Sequence, residues 1–451
     1  MADIEKIISD IIWKEFNNLR GYVDLRTSEN ILRELLFFKL LIDQLRHGNK
    51  YFCERINGAI SLDVNIEDMS MFYVELNKFI SSNECLSELS YEIFNVQKKI
   101  DNKLMIEIIR LINSVDTVID RKPSLIFMIL LNSEFRGSKS EIITSPSINK
   151  LISSLLKNKD IHEIYDPTIG TGMLALDVAS SHENIRIYGQ DINRKMINIC
   201  KMLLILDERI EDLSNIAEGN TIINPGHIEN NNLKKFQCIV GNPPFGLKDW
   251  GYNEIVNNDI YNRFHRGLPS RSLADYAFIS HVIESLSDTG IAIMIENTGV
   301  LFKEGAEGTI RKSIIEENLI DMIIALPNNM MYGTAIPVNL MMFNKNKKTD
   351  DILFIDVSNM VQSSKVLTSF TDNDIEKIVK IYNERSEIEG TSKRVSLKEI
   401  EDNSYNLTVG RYVNTHAEKE EIDINEIGCS IEELNIKLQD IQNKIKKILS
   451  K

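Results

Sequence analysis

Cysteine is scarce in this sequence and unpatterned. Five occur in 451 residues, at Cys53, Cys85, Cys200, Cys238 and Cys429, an odd number with no Cys-x-x-Cys spacing. That excludes a disulfide scaffold and a thiolate metal knot; reduced thiols in a cytoplasmic protein are expected, and no metal site. No apolar run reaches the roughly 18 residues of a membrane span. The first residues include Asp3 and Glu5, with no apolar core behind a basic stretch, so no secretory signal is expected. Positive charge is short as well: 52 Lys and Arg against 66 Asp and Glu give a formal net charge of −14. Phosphate neutralisation favours basic surfaces, which argues against a stand-alone nucleic-acid binder. An enzyme that receives its nucleic acid from a basic partner remains open. Long repeats and low-complexity tracts are missing. What is there is ordinary soluble composition, 43% hydrophobic and 26% charged, in a chain long enough for two or three domains with their own cores.

Residues 1–135 have helical texture. "ENILRELLFFKLLIDQL" (29–45) and "KLMIEIIRLINSV" (103–115) repeat apolar residues at spacings of three and four with few breakers, predicting an N-terminal all-α domain. From about 140 the texture changes. "IHEIYDP", "IRIYGQD", "FQCIVGNPP", "GIAIMIENTG", "LIDMIIALPN", "NLMMFNK" and "DILFIDVSN" alternate with amphipathic segments of helix length. That predicts an α/β domain with a mainly parallel sheet over 136–360. Residues 361–428 read as a polar, mixed region. In 429–451, Ile431, Leu434, Leu438, Ile441, Ile445 and Ile448 are spaced 3-4-3-4-3, the seam of a coiled coil, and about three heptads need a partner helix. Such a helix can fold back on its own domain or dock on another chain; the second is the expectation.

Two strand ends carry the chemistry. In "IYDPTIGTGMLALDVA" (164–179) a strand ends at Asp166 and a loop with Gly170 and Gly172 leads into a helix. Glycines there let backbone approach a ligand lying across the strand ends. The next strand ends in "YGQDINRKM", placing Asp191, a carboxylate suited to ribose hydroxyls, about 20 residues on. The third glycine of the dinucleotide fingerprint is missing and the first loop carries Asp166, which fits a compact adenosyl ligand without pyrophosphate better than NAD. The second strand end is "FQCIVGNPPFGLKDW" (236–250). Its rigid double proline can hold two acceptors, the Asn242 side-chain carbonyl and the Pro243 backbone carbonyl, against an aromatic amine. An adenine amine is a poor nucleophile because its lone pair is delocalised, and preorganised acceptors favour the geometry from which it attacks. Phe245 offers a surface on which an extruded base stacks. A sulfonium methyl donor already has a good leaving group, so no metal or covalent intermediate is needed. Lys248, Arg263, His265, Arg266 and Arg271 lie in the aperiodic loop 246–272, and either touch phosphates around the base or face solvent.

"NPPF" after a strand, with "DPTIGTG" upstream, resembles the S-adenosylmethionine-dependent amino-methyltransferases of DNA. "GVLFKEGAEGTIRKSIIEENLIDMIIALPNNMMYGTAIPVNLMMFNKNK" (299–347), "ADYAFISHVIESL" (274–286), "IWKEFNNLRGYVDLRTSENILRELLFFKLL" and "DNSYNLTVGRYV" (402–413) are similar to the modification subunits of Type I restriction-modification systems, so the resemblance covers nearly the whole chain. It implies a class I, Rossmann-like S-adenosylmethionine-dependent methyltransferase fold and adenine-specific DNA methylation. Its cofactor loop falls on Asp166, Thr168, Gly170, Thr171, Gly172 and Met173, its ribose acid on Asp191 beside Ile192, and its catalytic tetrad on Asn242, Pro243, Pro244 and Phe245. The segment before the first strand corresponds to "SEIITSP" (140–146), which adds Thr144, Ser145 and Pro146 to the cofactor set. Departures stand at Ile143 and Thr144, where aromatics are usual, at Met173 for glycine, and at Asn220 for aspartate in "GNTI" (219–222). The implied partners are double-stranded DNA, a specificity subunit that chooses the target, a restriction subunit, and a second copy of the chain in a two-to-one complex with the specificity subunit. Lys248, Arg263, Arg266 and Arg271 are the candidate DNA contacts. The rival expectations are a catalytically weak scaffold, suggested by the departures, and a methyltransferase acting on protein glutamine or RNA, whose members usually resemble NPPY. Cytosine amino-methylation usually has Ser where this chain has Asn242.

Overall fold

The computed structural model describes residues 22–62, 69–114, 122–135, 144–256, 258–331, 336–361 and 368–413. Ile143 and the carboxyl-terminal heptads lie outside the described residues. The front of the chain is helical: α1 (Leu25–Arg46), α2 (Met69–Ser81), α3 (Asn102–Asn113) and α4 (Pro123–Phe135). α1 begins at Asp24, whose carboxylate accepts the Thr27 N–H at 3.1 Å, satisfying one of the amides a helix start leaves unpaired. Its apolar residues go round most of the helix because it is surrounded; Phe37, Phe38 and Leu41 are fully buried.

After α5 (Pro146–Leu156) the α/β part begins. The strands are β1 (Glu163–Asp166), β2 (Arg186–Asp191), β3 (Ile216–Glu218), the paired β4 (Ile228–Glu229) and β5 (Asn232–Leu233), β6 (Phe236–Gly241), β7 (Leu286–Asn297), β8 (Ile320–Ala325), β9 (Val338–Asn344), β10 (Asp351–Asp356) and β11 (Ser392–Ser396). All but β4 and β5 form one sheet in the order β11-β10-β8-β9-β7-β6-β1-β2-β3. β1 is parallel to β2 and β6, β2 to β3, β6 to β7 and β8 to β10, whereas β9 runs antiparallel between β7 and β8. The seven apolar runs read from the sequence are each a strand. Their residues alternate between two cores: Ile164, Cys238, Val240 and Ile293 enter one face, Tyr165, Ile239, Ala292 and Met294 the other. Burial on both faces makes these strands read as continuous apolar runs.

One boundary is corrected. The sheet does not stop near 360, because β11 pairs antiparallel with β10 and Ile400, Leu407, Val409 and Tyr412 enter the same core. Residues 361–428 read as polar because β11 has a single fully buried apolar residue, Val395.

The helix after β2, α7 (Arg194–Leu206), holds the helical front against the sheet. α4 packs on both α1 and α7. Asn198 of α7 donates from Nδ2 to Ser90 O at 2.7 Å and accepts Ser90 N–H at 3.0 Å, and Lys201 meets Glu88 at 2.7 Å. Among the described residues no helix is long and apolar enough to cross a membrane.

Candidate active site

The chain leaves β1 toward β2 and β3 on one side and later fills β6 and β7 on the other. Strand order therefore reverses between β1 and β6, and open α/β sheets bind ligands at the carboxyl ends beside such a reversal. Asp166 closes β1; Gly241 and Asn242 close β6.

The loop after β1 is folded by its own acids. Thr168 N–H donates to Asp166 Oδ1 at 2.9 Å. Gly170 N–H donates to Asp191 Oδ2 at 2.9 Å, and Asn193 N–H to Asp191 Oδ1 at 2.8 Å. Asp191 therefore ties the loop to the end of β2, and each of its oxygens keeps a lone pair for a ligand. Asp166 is 2% exposed; burial, reinforced by the Asp191 charge, pushes its carboxyl up to about 7. Burial also raises Asp191 above its ordinary value.

Gly170 and Gly172 have φ of +52° and +81°. At Gly172 the constraint comes from behind the loop: a Cβ there would lie 2.7 Å from Cys200 Sγ on α7. This glycine lets the loop sit down on α7, and it does not line either chamber of the cavity described next.

Two adjoining chambers open around this loop, one of about 390 Å³ and one of about 60 Å³. The larger is walled by Asp191, Ile192, Asn220, Pro243 and Pro244 among the expected residues, and by Met196, Leu247 and Phe278, which motif reading did not single out. The smaller is walled by Asp166, Met173 and Thr144. Thr168, Gly170, Thr171 and Asn242 belong to both. Ser145 and Pro146 line neither: the Ser145 backbone carbonyl starts α5, accepting Ile148 and Asn149 N–H, and Pro146 is exposed.

Asn220 Oδ1 accepts the N–H of Ile222 at 2.9 Å and of Ile223 at 3.0 Å. Both partners are donors, so the amide nitrogen is the end left for a ligand. The aspartate usual here would offer an oxygen.

Asn242 stands at the junction of the chambers. Its Nδ2 donates to Thr144 Oγ1 at 3.0 Å. Its Oδ1 is buried and, among the described residues, has no partner. Native proteins rarely leave such an acceptor unmet, because desolvation without a hydrogen bond costs about 1–3 kcal/mol. An orphaned carbonyl oxygen in the wall of a cavity is a seat for a donor that arrives with a ligand. The turn beyond it is held from outside: Gly246 N–H donates to Asp275 Oδ1 at 2.9 Å, and Asn297 Nδ2 donates to the same oxygen at 2.8 Å. Asp275 opens α8 (Asp275–Ser285); no spacing rule marks it as a support for the turn.

The model of one family, N-6 DNA Methylase, matches residues 127–421. The chain belongs to the N-6 DNA methylase family. It is 33% identical over 351 residues to the Type I restriction enzyme MpnII methylase subunit of Mycoplasma pneumoniae, covering 75% of this chain and 64% of that one. It is 31% identical over 314 residues to the MjaVIII methylase subunit of Methanocaldococcus jannaschii, covering 66% of this chain and 54% of that one. The chain thus spans about half to two thirds of the length of these curated relatives. The crystal structure of a type I restriction-modification methyltransferase subunit from Streptococcus thermophilus has the same fold, with a TM-score of 0.77 at 23% identity over 91% of this chain and 100% of that one.

In this chain two of the four candidate DNA contacts are internal. Arg263 is 1% exposed; its Nε donates to Asp259 Oδ1 at 2.8 Å and its Nη2 to Ile222 O at 2.8 Å. Arg266 is engaged by Glu284 at 2.7 Å and Glu317 at 2.6 Å. Both are withdrawn from the DNA reading: sequence shows their charge but not that acids and carbonyls already surround them. Lys248 and Arg271 are exposed. Phe245 is half-buried, leans on the core and does not line the chambers.

Proposed function

We propose that this chain is the modification subunit of a Type I-like restriction-modification system, an adenine-specific DNA methyltransferase using S-adenosylmethionine. One observation carries the reading: Asn242 lines both chambers at the reversal point of the sheet, and its carboxamide oxygen is buried and has no partner among the described residues. Asp191, Ile192 and Asn220 would hold the adenosyl part, and Asp166 and Thr144 lie where the amino-acid part would go. The fit is supported by acidic Asp166 and Asp191, which suit a cationic ligand. When bound, S-adenosylmethionine would supply an electrophilic methyl group on a sulfonium that leaves as a neutral thioether, and the proton lost by the amine would pass to water. Asn242 Oδ1, with the Pro243 carbonyl, accepts hydrogen bonds from the amine and directs its lone pair toward the methyl. Thr144 holds the other end of the Asn242 amide, and the prolines and Asp275 keep the turn from relaxing.

Target choice falls to a specificity subunit, because the chain carries a formal net charge of −14 and two of its four candidate DNA contacts, Arg263 and Arg266, are already engaged internally. A restriction subunit and a second copy of the chain complete the expected assembly on double-stranded DNA. The test is transfer of a radiolabelled methyl group by the chain with a specificity-type partner, offered DNA, RNA and ribosomal protein side by side. Label on adenine of DNA is expected. Label confined to RNA or protein, with none on DNA, overturns the reading in favour of the glutamine or RNA alternative.

A pH dependence follows from Asp166. Its carboxyl, held near 7, must be ionised to meet a cationic ligand, so binding releases protons and strengthens as pH rises through 7. Affinity for S-adenosylmethionine is expected to drop about tenfold for each pH unit below 7, the limit for one linked proton. The sign for folding is opposite. A raised folded pKa makes this group's contribution to stability full below about 4 and lost as pH rises through 7. Calorimetry at pH 6 and 8, in two buffers of different ionisation heat, measures the proton release; equal affinity at both values would remove Asp166 from the site.

A further inference from the structure

The smaller chamber has a wall residue that no motif marks. Asn149 lies in α5 and is 2% exposed, yet it lines the chamber together with Asp166. Its Nδ2 donates to Asp177 Oδ2 at 2.8 Å. Burial pushes the Asp177 carboxyl up to about 6, so above that pH it is ionised and can only accept. The bond therefore fixes which way round the Asn149 amide lies. The opposite end, Oδ1, is buried and has no partner among the described residues. Asp177 also accepts through its backbone carbonyl from Ser153 Oγ at 2.8 Å, which anchors α6 (Met173–Ala179) against α5.

The residues that wall the chamber thus include an unmet carbonyl oxygen and a carboxylate, and among the described residues no Lys, Arg or His lines it. Its 60 Å³ is the liquid volume of about two waters, too small for a ring and adequate for a small polar head. The complementary group is compact, cationic and rich in N–H donors, the description of a primary ammonium. We propose that Asn149 Oδ1 and the Asp166 carboxylate together seat the α-ammonium of the methyl donor's amino-acid tail. Asn149 then reads that tail separately from the nucleoside, which the larger chamber holds. The inference rests on the reading that this chain binds S-adenosylmethionine.

Two ligands separate the roles. S-adenosylhomocysteine and 5′-methylthioadenosine are both adenosyl thioethers, and only the first has the amino-acid tail. Calorimetry on the full chain at pH 8 would compare wild type with Asn149→Leu. A double variant, Asn149→Leu with Asp177→Leu, removes both polar partners and leaves neither unpaired. In both variants the affinity for S-adenosylhomocysteine is expected to fall about ten- to a hundredfold, the range for a lost hydrogen bond to a charged group. The affinity for 5′-methylthioadenosine is expected to stay within about twofold of wild type on the same scale. An equal loss for both ligands makes Asn149 a structural residue and overturns the inference. No loss for either means that water satisfies the oxygen, which overturns it as well. Wild-type chain that binds neither these thioethers nor S-adenosylmethionine overturns the cofactor reading itself, and this inference with it.

Discussion

Replacing Asn242 by alanine is expected to slow methyl transfer to DNA by about a hundred- to a thousandfold, the cost of removing one preorganised polar group aimed at the reacting centre. Affinity for S-adenosylmethionine should change by less than about threefold, because the groups assigned to the nucleoside and to the tail are other residues. The reason is the state of the amide. Its nitrogen already has Thr144 at 3.0 Å, while its oxygen has nothing among the described residues, so truncation removes an interaction that the protein itself does not use. Single-turnover transfer and calorimetry, measured on one preparation with the specificity partner present, check both halves. Asn242 also borders both chambers, and a parallel fall in affinity and rate would make it a residue of the cofactor seat instead. Normal transfer by the variant would remove it from the chemistry. Phe245→Ala is a less clean probe: the ring is half-buried against the core, so part of any loss is lost packing.

Arg263→Ala is expected to destabilise the fold by about 3–5 kcal/mol, the range for removing one partner of a buried charge pair. The guanidinium is 1% exposed and bridges Asp259 to the carbonyls of Thr221 and Ile222. It therefore connects the loop after β6 to the loop after β3, which borders the larger chamber through Asn220 and Thr221. Removing it strands the Asp259 carboxylate and loosens both loops together. Lys248→Ala and Arg271→Ala should leave the melting temperature unchanged and weaken DNA binding by the assembled enzyme, each reducing the salt slope by about one. Thermal unfolding and salt titrations of DNA binding separate the two behaviours. An Arg263 variant of normal stability with weakened DNA binding would return that residue to the DNA surface.

What could be read from the sequence divides along physical lines. The seven strands read from the sequence were legible because both of their faces are buried, which forces unbroken apolar runs such as "CIV" in β6. β3, three residues long, and β11, Ser-Lys-Arg-Val-Ser, were not legible, since backbone pairing with a neighbour makes them strands more than composition does. The place of β9 between β7 and β8 depends on pairings distant in sequence that no local pattern encodes. At the site, residues set by backbone need were visible: the glycines of the first loop, the acids that end β1 and β2, and the prolines after β6. Asn149 and Asp275 were not. Each is an ordinary helix residue until packing brings it to the loop it serves. The basic loop misled in the opposite way, because charge is written in sequence and burial is not.

The rims of the sheet also bear on how other subunits can attach. At one end β3 presents three residues. At the other, β11 carries Lys393, paired with Glu399 at 2.7 Å, and Arg394, paired with Asp351 at 2.6 Å. Short and charged margins resist recruitment of a foreign strand. Association of this chain with another is therefore expected to use side chains and helices rather than extension of the sheet.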